Sequence, residues 1–268
     1  MGELVFVGMG LNDEQGISLR GLELASKADL VICECYTSLM PRLSLESLQT
    51  RIRKPVKVLS RKQLEDYVDE FVVEQAKKKM VVLLVPGDPM IATTHISVRI
   101  RAEKQGIRTR VVHGASIVTA VMGLSGLQNY KFGKSVTVPF PKGEVVSDVP
   151  YQVIAENRMR GLHTLVFLDV RAEEGRYMTI RDALAILSSL ESLKSLGVVT
   201  AETLTIGVAR AGADDPLVRA GPVREILNFD FGGPPHTLVF PGRLHFVEAE
   251  ALEVLGGAAK SALKGYAE

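Results

Sequence analysis

Short, nearly unbroken apolar runs alternate along the first third of the chain with stretches in which apolar residues recur every three or four positions. Residues 4–7, 30–33 and 81–85 are such runs, with Gly8, Asp29 and Pro86 at their ends, and residues 109–112 follow as a further strand. Continuous apolar runs of this length predict strands buried on both faces of a parallel sheet. Between them, Ile17, Leu19, Leu22, Leu24 and Ala25 form a helical stripe within residues 16–28. Residues 64–79 carry Val68, Phe71, Val72 and Ala76 among acids and bases, an amphipathic helix. A third helix runs through Ile96, Val98 and Ile100 to Gln105, with Thr94 as its cap and Gly106 as its stop. The repeating strand–helix grammar predicts a doubly wound α/β unit with right-handed, parallel crossovers. Ligands on such sheets gather beyond the carboxyl ends of the strands. The turn Pro86-Gly87-Asp88-Pro89, which closes the run 81–85, puts backbone N–H groups and one carboxylate at that edge. Turn chemistry alone accounts for the same residue types.

The pattern changes at His113-Gly114-Ala115-Ser116-Ile117, where small residues permit close backbone approach. Residues 135–140 are β-rich, and Pro139 and Pro141 suit an edge strand. A short helix at 152–160, a buried strand at 164–169 and a long leucine-striped helix at 178–196 follow. Strands at 205–209, 216–220 and 237–240 and a last helix at 244–255 complete the chain. The expected architecture is therefore α/β in two domains. Residues 1–113 form a mostly parallel doubly wound sheet, and residues 114–268 an α+β domain with a mixed sheet. A cleft between two such domains is the default place for a ligand.

Composition narrows the function. With 268 residues, 46% hydrophobic and a net charge of +1, the chain shows no global drive towards nucleic acid or an anionic membrane. The uncharged stretch 111–130 is long enough to span a bilayer, but His113, Ser116, Ser125, Gln128, Asn129 and three glycines make it a buried loop followed by a core helix. Its start carries no secretory pattern, and Cys33 and Cys35 suit reduced core thiols, so a cytoplasmic location is expected. Two cysteines without nearby histidines do not make a zinc site.

The candidate chemistry is sparse. Gly8-Met9-Gly10 fails as a dinucleotide fingerprint, because Asp13 stands where the third glycine belongs. Tyr36-Thr37-Ser38 forms a polar loop at the same carboxyl edge. Residues 51–62 are rich in Arg and Lys, which reads first as a solvated face and second as a surface for an anionic partner. There is no G-x-S-x-G elbow, no H-E-x-x-H and no Cys/His cluster.

Taken together, these segments resemble one family. Gly8-Met9-Gly10-Leu11 with Asp13-Glu14, Tyr36-Thr37-Ser38 and Pro86-Gly87-Asp88-Pro89 with Ala92-Thr93-Thr94-His95 are similar to the diphthine synthases, a branch of the tetrapyrrole methylase superfamily. So are Ala115-Ser116-Ile117, Tyr130-Lys131-Phe132-Gly133-Lys134, Gly161-Leu162-His163-Thr164 with Phe167-Leu168-Asp169, and Pro234-Pro235-His236. The superfamily's common Gly-Pro-Gly-Asp pattern is replaced here by Gly10-Leu11-Asn12-Asp13, which points away from its tetrapyrrole and ribosomal-RNA branches. The resemblance implies S-adenosylmethionine as methyl donor, leaving S-adenosylhomocysteine. It implies as acceptor the amino group of an amino-carboxypropyl histidine on translation elongation factor 2, methylated up to the trimethylammonium. It also implies a homodimer, with no stable nucleic-acid or membrane partner.

By position, the family's cofactor contacts fall on Leu11, Asp88, Ile91, Ser116, Ile117, Leu168, Ala211 and His236. Tyr36, Thr37, Arg61, Lys131, Lys134, Arg171 and Arg176 are candidates for the substrate rim. No catalytic base and no metal are assigned. Methyl transfer from a sulfonium is an in-line displacement that needs alignment and exclusion of water more than a nucleophilic side chain. Two alternatives stay open on sequence: a methyltransferase for tetrapyrrole or ribosomal RNA, and a cofactor-binding protein without catalysis.

Overall fold

A computed structural model of the chain describes residues 2–266. It forms two compact units, Met1–Ile117 with Arg171–Gly175, and Val118–Val170 with Arg176–Glu268. The first holds strands β1 (Glu3–Gly8), β2 (Leu30–Glu34), β3 (Val56–Leu59), β4 (Met80–Val85) and β5 (Arg108–Val112). They pair in the order β3-β2-β4-β1-β5, with every neighbour parallel. The continuous apolar runs have their predicted consequence. Leu4, Phe6, Val81 and Leu83 face one apolar layer and Val5, Val7, Val82 and Leu84 the other, all fully buried. Each such side chain contributes roughly 1.5–3 kcal/mol relative to exposure.

Three details differ from the sequence expectation. The helix expected across 64–79 is broken into Arg61–Glu65, a π-helical turn at Asp69–Val73, and Glu74–Ala76. Val72 and Val73, adjacent within that turn, are both fully buried. Thr94 holds the N-cap position of the helix His95–Lys104, yet its hydroxyl makes no capping bond. Val98 and Ala102 are the buried face of that helix, with Ile96 and Ile100 each 49% exposed. Finally, the basic stretch contains the edge strand β3, whose Lys57 and Val58 face solvent.

The second unit contains β6 (Val136–Val138), β7 (Thr164–Leu168), β10 (Leu204–Ala209), β11 (Leu217–Pro222) and β12 (His236–Phe240), and the two-residue strands β8 (Val170–Arg171) and β9 (Arg176–Tyr177) flank the segment Arg171–Gly175. The main sheet runs β11-β10-β12-β7-β6, antiparallel except that edge strand β6 lies parallel to β7. The helices Val149–Met159 and Ile180–Lys194 bury Tyr151, Ile154, Leu184 and Leu187 against it. A parallel sheet in one unit and a mixed sheet in the other give the α/β architecture expected from the sequence. Among the described residues, no helix is long and apolar enough to cross a membrane.

Candidate functional site

Parallel order decides which loops meet in the first unit. Since β2, β4, β1 and β5 are adjacent and parallel, the chain leaves all four at one edge. That edge collects Tyr36 and Thr37 after β2, Asp88 and Ile91 after β4, Leu11 after β1, and Ser116 and Ile117 after β5. The β1 and β4 loops are joined by an antiparallel bridge, in which the Gly87 N–H donates to the Gly10 carbonyl at 2.7 Å and the Gly10 N–H donates to the Gly87 carbonyl at 3.3 Å. Gly8, Gly87 and Gly114 pack backbone to backbone. A Cβ on Gly114 would lie 2.4 Å from the Gly87 oxygen and 2.9 Å from Gly8 Cα, so only glycine fits. On its other side Gly87, at φ +69°, has nothing nearer than the Ala115 oxygen at 4.0 Å from an added Cβ. The loop backbone there is open to a ligand.

Asp88 is only 6% exposed. Its Oδ1 accepts from the Met90 N–H at 2.9 Å, closing the turn. Its Oδ2 meets His113 Nδ1 at 2.7 Å and the Gly114 N–H at 3.3 Å. The carboxylate therefore ties the β4 loop to the β5 loop, a role that sequence alone did not assign. Ser116 is buried, Leu11 and Ile117 are half-buried, and Ile91 is 39% exposed. Backbone polar groups, one carboxylate and exposed aliphatic surface on a single edge suit a ligand that combines an amino-acid moiety with a flat apolar base.

Around β2 the structure reveals a cluster of which sequence reasoning named only part. Glu34, at the end of β2, is fully buried. Its Oε2 accepts from the Tyr36 and Thr37 N–H groups at 2.9 and 3.1 Å, and its Oε1 accepts the Thr37 hydroxyl. Burial raises its pKa, partly offset by these bonds and by Arg61. His95 Nε2 lies 4.0 Å from Glu34 Oε1. The ring is 1% exposed, and burial pushes its pKa down to about 4. The Pro89 backbone opposes that shift only in part. Both ring nitrogens of His95 and the hydroxyl of Tyr36 are buried with no hydrogen-bond partner among the described residues. Such orphans cost about 1–3 kcal/mol each. The sequence places Tyr36 on an exposed loop, but it is 4% exposed, with the Arg61 guanidinium 5.1 Å from its ring centroid. The Arg61 N–H donates to Glu173, in the segment that carries Arg171. Tyr36, Thr37, Arg61 and Arg171 thus belong to one neighbourhood.

In the second unit, Leu168 ends β7, Ala211 follows β10 and His236 begins β12. The pairings of Phe167 with Thr237 and of Ala209 with His236 bring the three to one end of the sheet. Leu168 is largely core, at 9% exposure, and Ala211 is half-buried. His236 Nδ1 accepts the Ile180 N–H at 3.3 Å, which leaves Nε2–H to donate to the Gly233 carbonyl at 3.1 Å. Burial, opposed by the Gly233 carbonyl, lowers its pKa, so the ring is the neutral Nε2–H tautomer. Arg210 braces the same loop through the Phe231 and Gly233 carbonyls at 2.6 and 2.9 Å.

Lys131 and Lys134 are not brought to this end. β6 is parallel to β7, so the residues before it lie at the start of β7, about 13 Å away along the strand. The Lys131 ammonium is held 2.7 Å from Oε2 of the fully buried Glu248. Glu248 also accepts His163 Nε2–H at 2.9 Å and the Gln128 and His245 N–H groups at 2.8 and 2.9 Å. Lys134 is exposed. Arg176 lies over Phe140, 4.4 Å from its ring centroid. No group of three or more His, Cys, Asp or Glu among the described residues is placed to hold a metal.

Comparison with known proteins bears on this arrangement. Residues 3–227 match the model of the tetrapyrrole (corrin/porphyrin) methylases. The diphthine synthase of Methanocella arvoryzae is 49% identical over 95% of this chain and 98% of its own. A diphthine synthase crystal structure superposes with a TM-score of 0.88 at 40% identity, covering 97% of this chain and 98% of its own. A putative diphthine synthase from Entamoeba histolytica does so with a TM-score of 0.87 at 36% identity, covering 97% and 100%.

Proposed function

The chain belongs to the tetrapyrrole methylases and, within them, to the diphthine synthases, and from that membership we infer its donor and its acceptor. It is a methyltransferase of diphthamide biosynthesis. The donor is S-adenosylmethionine, which supplies a methyl group already activated on a sulfonium. The acceptor is the amino group of the amino-carboxypropyl histidine on elongation factor 2, methylated up to the trimethylammonium. The observation that carries this reading is identity near one half across almost the whole of both chains.

The residues fit such a donor. The open backbone at Gly87 and the Asp88 carboxylate suit its amino-acid moiety, and Leu11 and Ile91 offer aliphatic surface to its base. Ser116, Ile117, Leu168, Ala211 and His236 complete the proposed cofactor set. His236 serves through a fixed neutral ring, since both of its nitrogens are engaged. Tyr36, Thr37 and Arg171 form the proposed acceptor rim. Lys131 and Lys134 remain candidates for it, with Lys131 paired to Glu248 within its own unit. Alignment then does most of the work. The acceptor amine has an ordinary pKa of about 8, so a useful fraction is neutral near pH 7 and water can take its proton.

Labelled S-adenosylmethionine, offered with elongation factor 2 bearing the amino-carboxypropyl histidine, with ribosomal RNA and with a tetrapyrrole, tests the reading. Label is expected on the factor alone. Label on RNA or tetrapyrrole, or none on the factor, overturns it.

A further inference from the structure

Most of the acids and histidines that the four loops bring to the carboxyl edge of the first unit are already committed. Asp13 accepts from the Asn12 amide and the Gln15 N–H, and Glu14 accepts from the Ser44 N–H. Glu34 and His95 are buried. His113, which follows β5, differs. Its side chain is 74% exposed, and only Nδ1 is engaged, 2.7 Å from Asp88 Oδ2. The two Asp88 oxygens also accept from the Met90 and Gly114 N–H groups, so the carboxylate is an acceptor throughout and Nδ1 carries the proton. In the neutral ring Nε2 then keeps its lone pair, with no hydrogen-bond partner among the described residues. The backbone beside the ring is fixed where Gly114 packs on Gly8 and Gly87. An imidazole oriented by a carboxylate, with its far nitrogen open, is the arrangement of a general base. It stands beside the open backbone of Gly87, where the proposed donor would sit.

The reaction has a proton to place. An amine with a pKa of about 8 is only about one tenth neutral at pH 7, and its ammonium has no lone pair with which to attack. Each transfer leaves a new ammonium, so a proton must also leave before the second and third. We propose that His113 is the base of this reaction: its Nε2 takes the proton of the acceptor ammonium and frees the nitrogen lone pair. This deepens the function reading and rests on the acceptor named above. The N–H electron pair stays on nitrogen as the proton passes to Nε2. The lone pair then forms the N–C bond while the C–S bond breaks, its electrons going to sulfur. Asp88 offsets the charge of the imidazolium, which is exposed and returns the proton to water before the next round. The trimethylammonium has no N–H, and the sequence ends there.

His113→Asn is the discriminating variant, because its amide N–H can replace Nδ1 towards Asp88 while no basic nitrogen remains. Steady-state methyl transfer to the modified factor, at saturating S-adenosylmethionine, is measured for wild type, His113→Asn and His113→Gln between about pH 6.5 and about pH 9. Thermal melts and calorimetry with S-adenosylhomocysteine are run on each. Near pH 7 the kcat/KM of His113→Asn for the factor should be about tenfold below wild type, the share of acceptor that is neutral unaided. Near pH 9, where the amine is mostly neutral, it should come within about twofold of wild type. Its affinity for S-adenosylhomocysteine should stay within about threefold of wild type throughout. A deficit of the same size at both pH values marks a structural role and overturns the proposal. So does a deficit matched by an equal loss of S-adenosylhomocysteine binding. If His113→Asn does not fold, His113→Gln decides by the same criteria. Wild type that leaves the factor unmethylated overturns the function reading, and this proposal with it. Active wild type beside equally active variants near pH 7 overturns the base alone.

Discussion

Replacing Glu248 by Gln removes one charge and almost no volume from the centre of the second unit. The carboxylate takes four hydrogen bonds, from Gln128, His245, His163 and Lys131, and has no contact with solvent. Burial alone would raise its pKa, but these partners outweigh it and hold the group at about 2. A drop from the ordinary 4.5 to about 2 is worth about 3 kcal/mol in the folded state. Breaking a buried pair costs about 3–5 kcal/mol by independent experience, so the two routes agree. In the variant, amide hydrogens confront donors and the Lys131 ammonium is left without its counter-charge. The expected loss is about 3 kcal/mol, or about 6–10 °C in Tm for a chain of this size. The sign with pH follows from the depressed pKa. The contribution is complete above the unfolded value near 4.5 and fades as pH falls towards about 2. Melts of both proteins by circular dichroism between about pH 7 and about pH 3 would show a gap that narrows with acid. A gap under about 1 °C near neutral pH, or one that does not narrow below about pH 4.5, refutes the reasoning.

The remaining predictions concern the first unit. Gly114→Ala, whose Cβ would meet backbone atoms at 2.4 Å and 2.9 Å, should cost at least about 2 kcal/mol and weaken S-adenosylhomocysteine binding. Gly123→Ala, on the exposed side of the helix Ile117–Ser125 with nothing within 4 Å, should instead stabilise by about 0.5–1 kcal/mol in urea unfolding. Asp88→Ala frees the Met90 and Gly114 N–H groups and His113 together, and calorimetry should show S-adenosylhomocysteine affinity down at least about tenfold. His95 titrates at about 4 when folded against 6.5 when unfolded, so the unfolded chain binds more protons between those values. Stability should therefore fall as pH drops from 6.5 to about 4, less so in His95→Gln, and an NMR titration of the ring should give the low midpoint directly.

The first unit was the more legible half in the sequence because its strands are buried on both faces. Residues 81–85 admit no reading but core, and β4 lies between β2 and β1. Strand β3 was hidden because an edge strand keeps one side wet, so Lys57 looked like surface charge. The break between residues 64 and 79 was hidden because apolar spacing assumes one helical period, and the π turn changes it locally. The loop residues at the carboxyl edge could be grouped from sequence, since parallel order alone brings them together. Their partners could not: the hold of Asp88 on His113 and Gly114 spans 25 and 26 residues. Glu34 carried a faint signal, an acid at the end of an apolar run with Thr37 three residues on. The ion pair of Lys131 with Glu248, 117 positions away, left no local trace either.

The central claim is that the methyl groups arrive on one amino nitrogen of elongation factor 2. Peptide mass spectrometry of the modified factor, after incubation with this protein and S-adenosylmethionine, tests it most directly. The account predicts added methyl groups, one per donor molecule and up to the three that a primary amine can add, on the peptide bearing the amino-carboxypropyl histidine and on its amino nitrogen. An unmethylated peptide at full donor saturation, or methyl groups found on another residue, would contradict it.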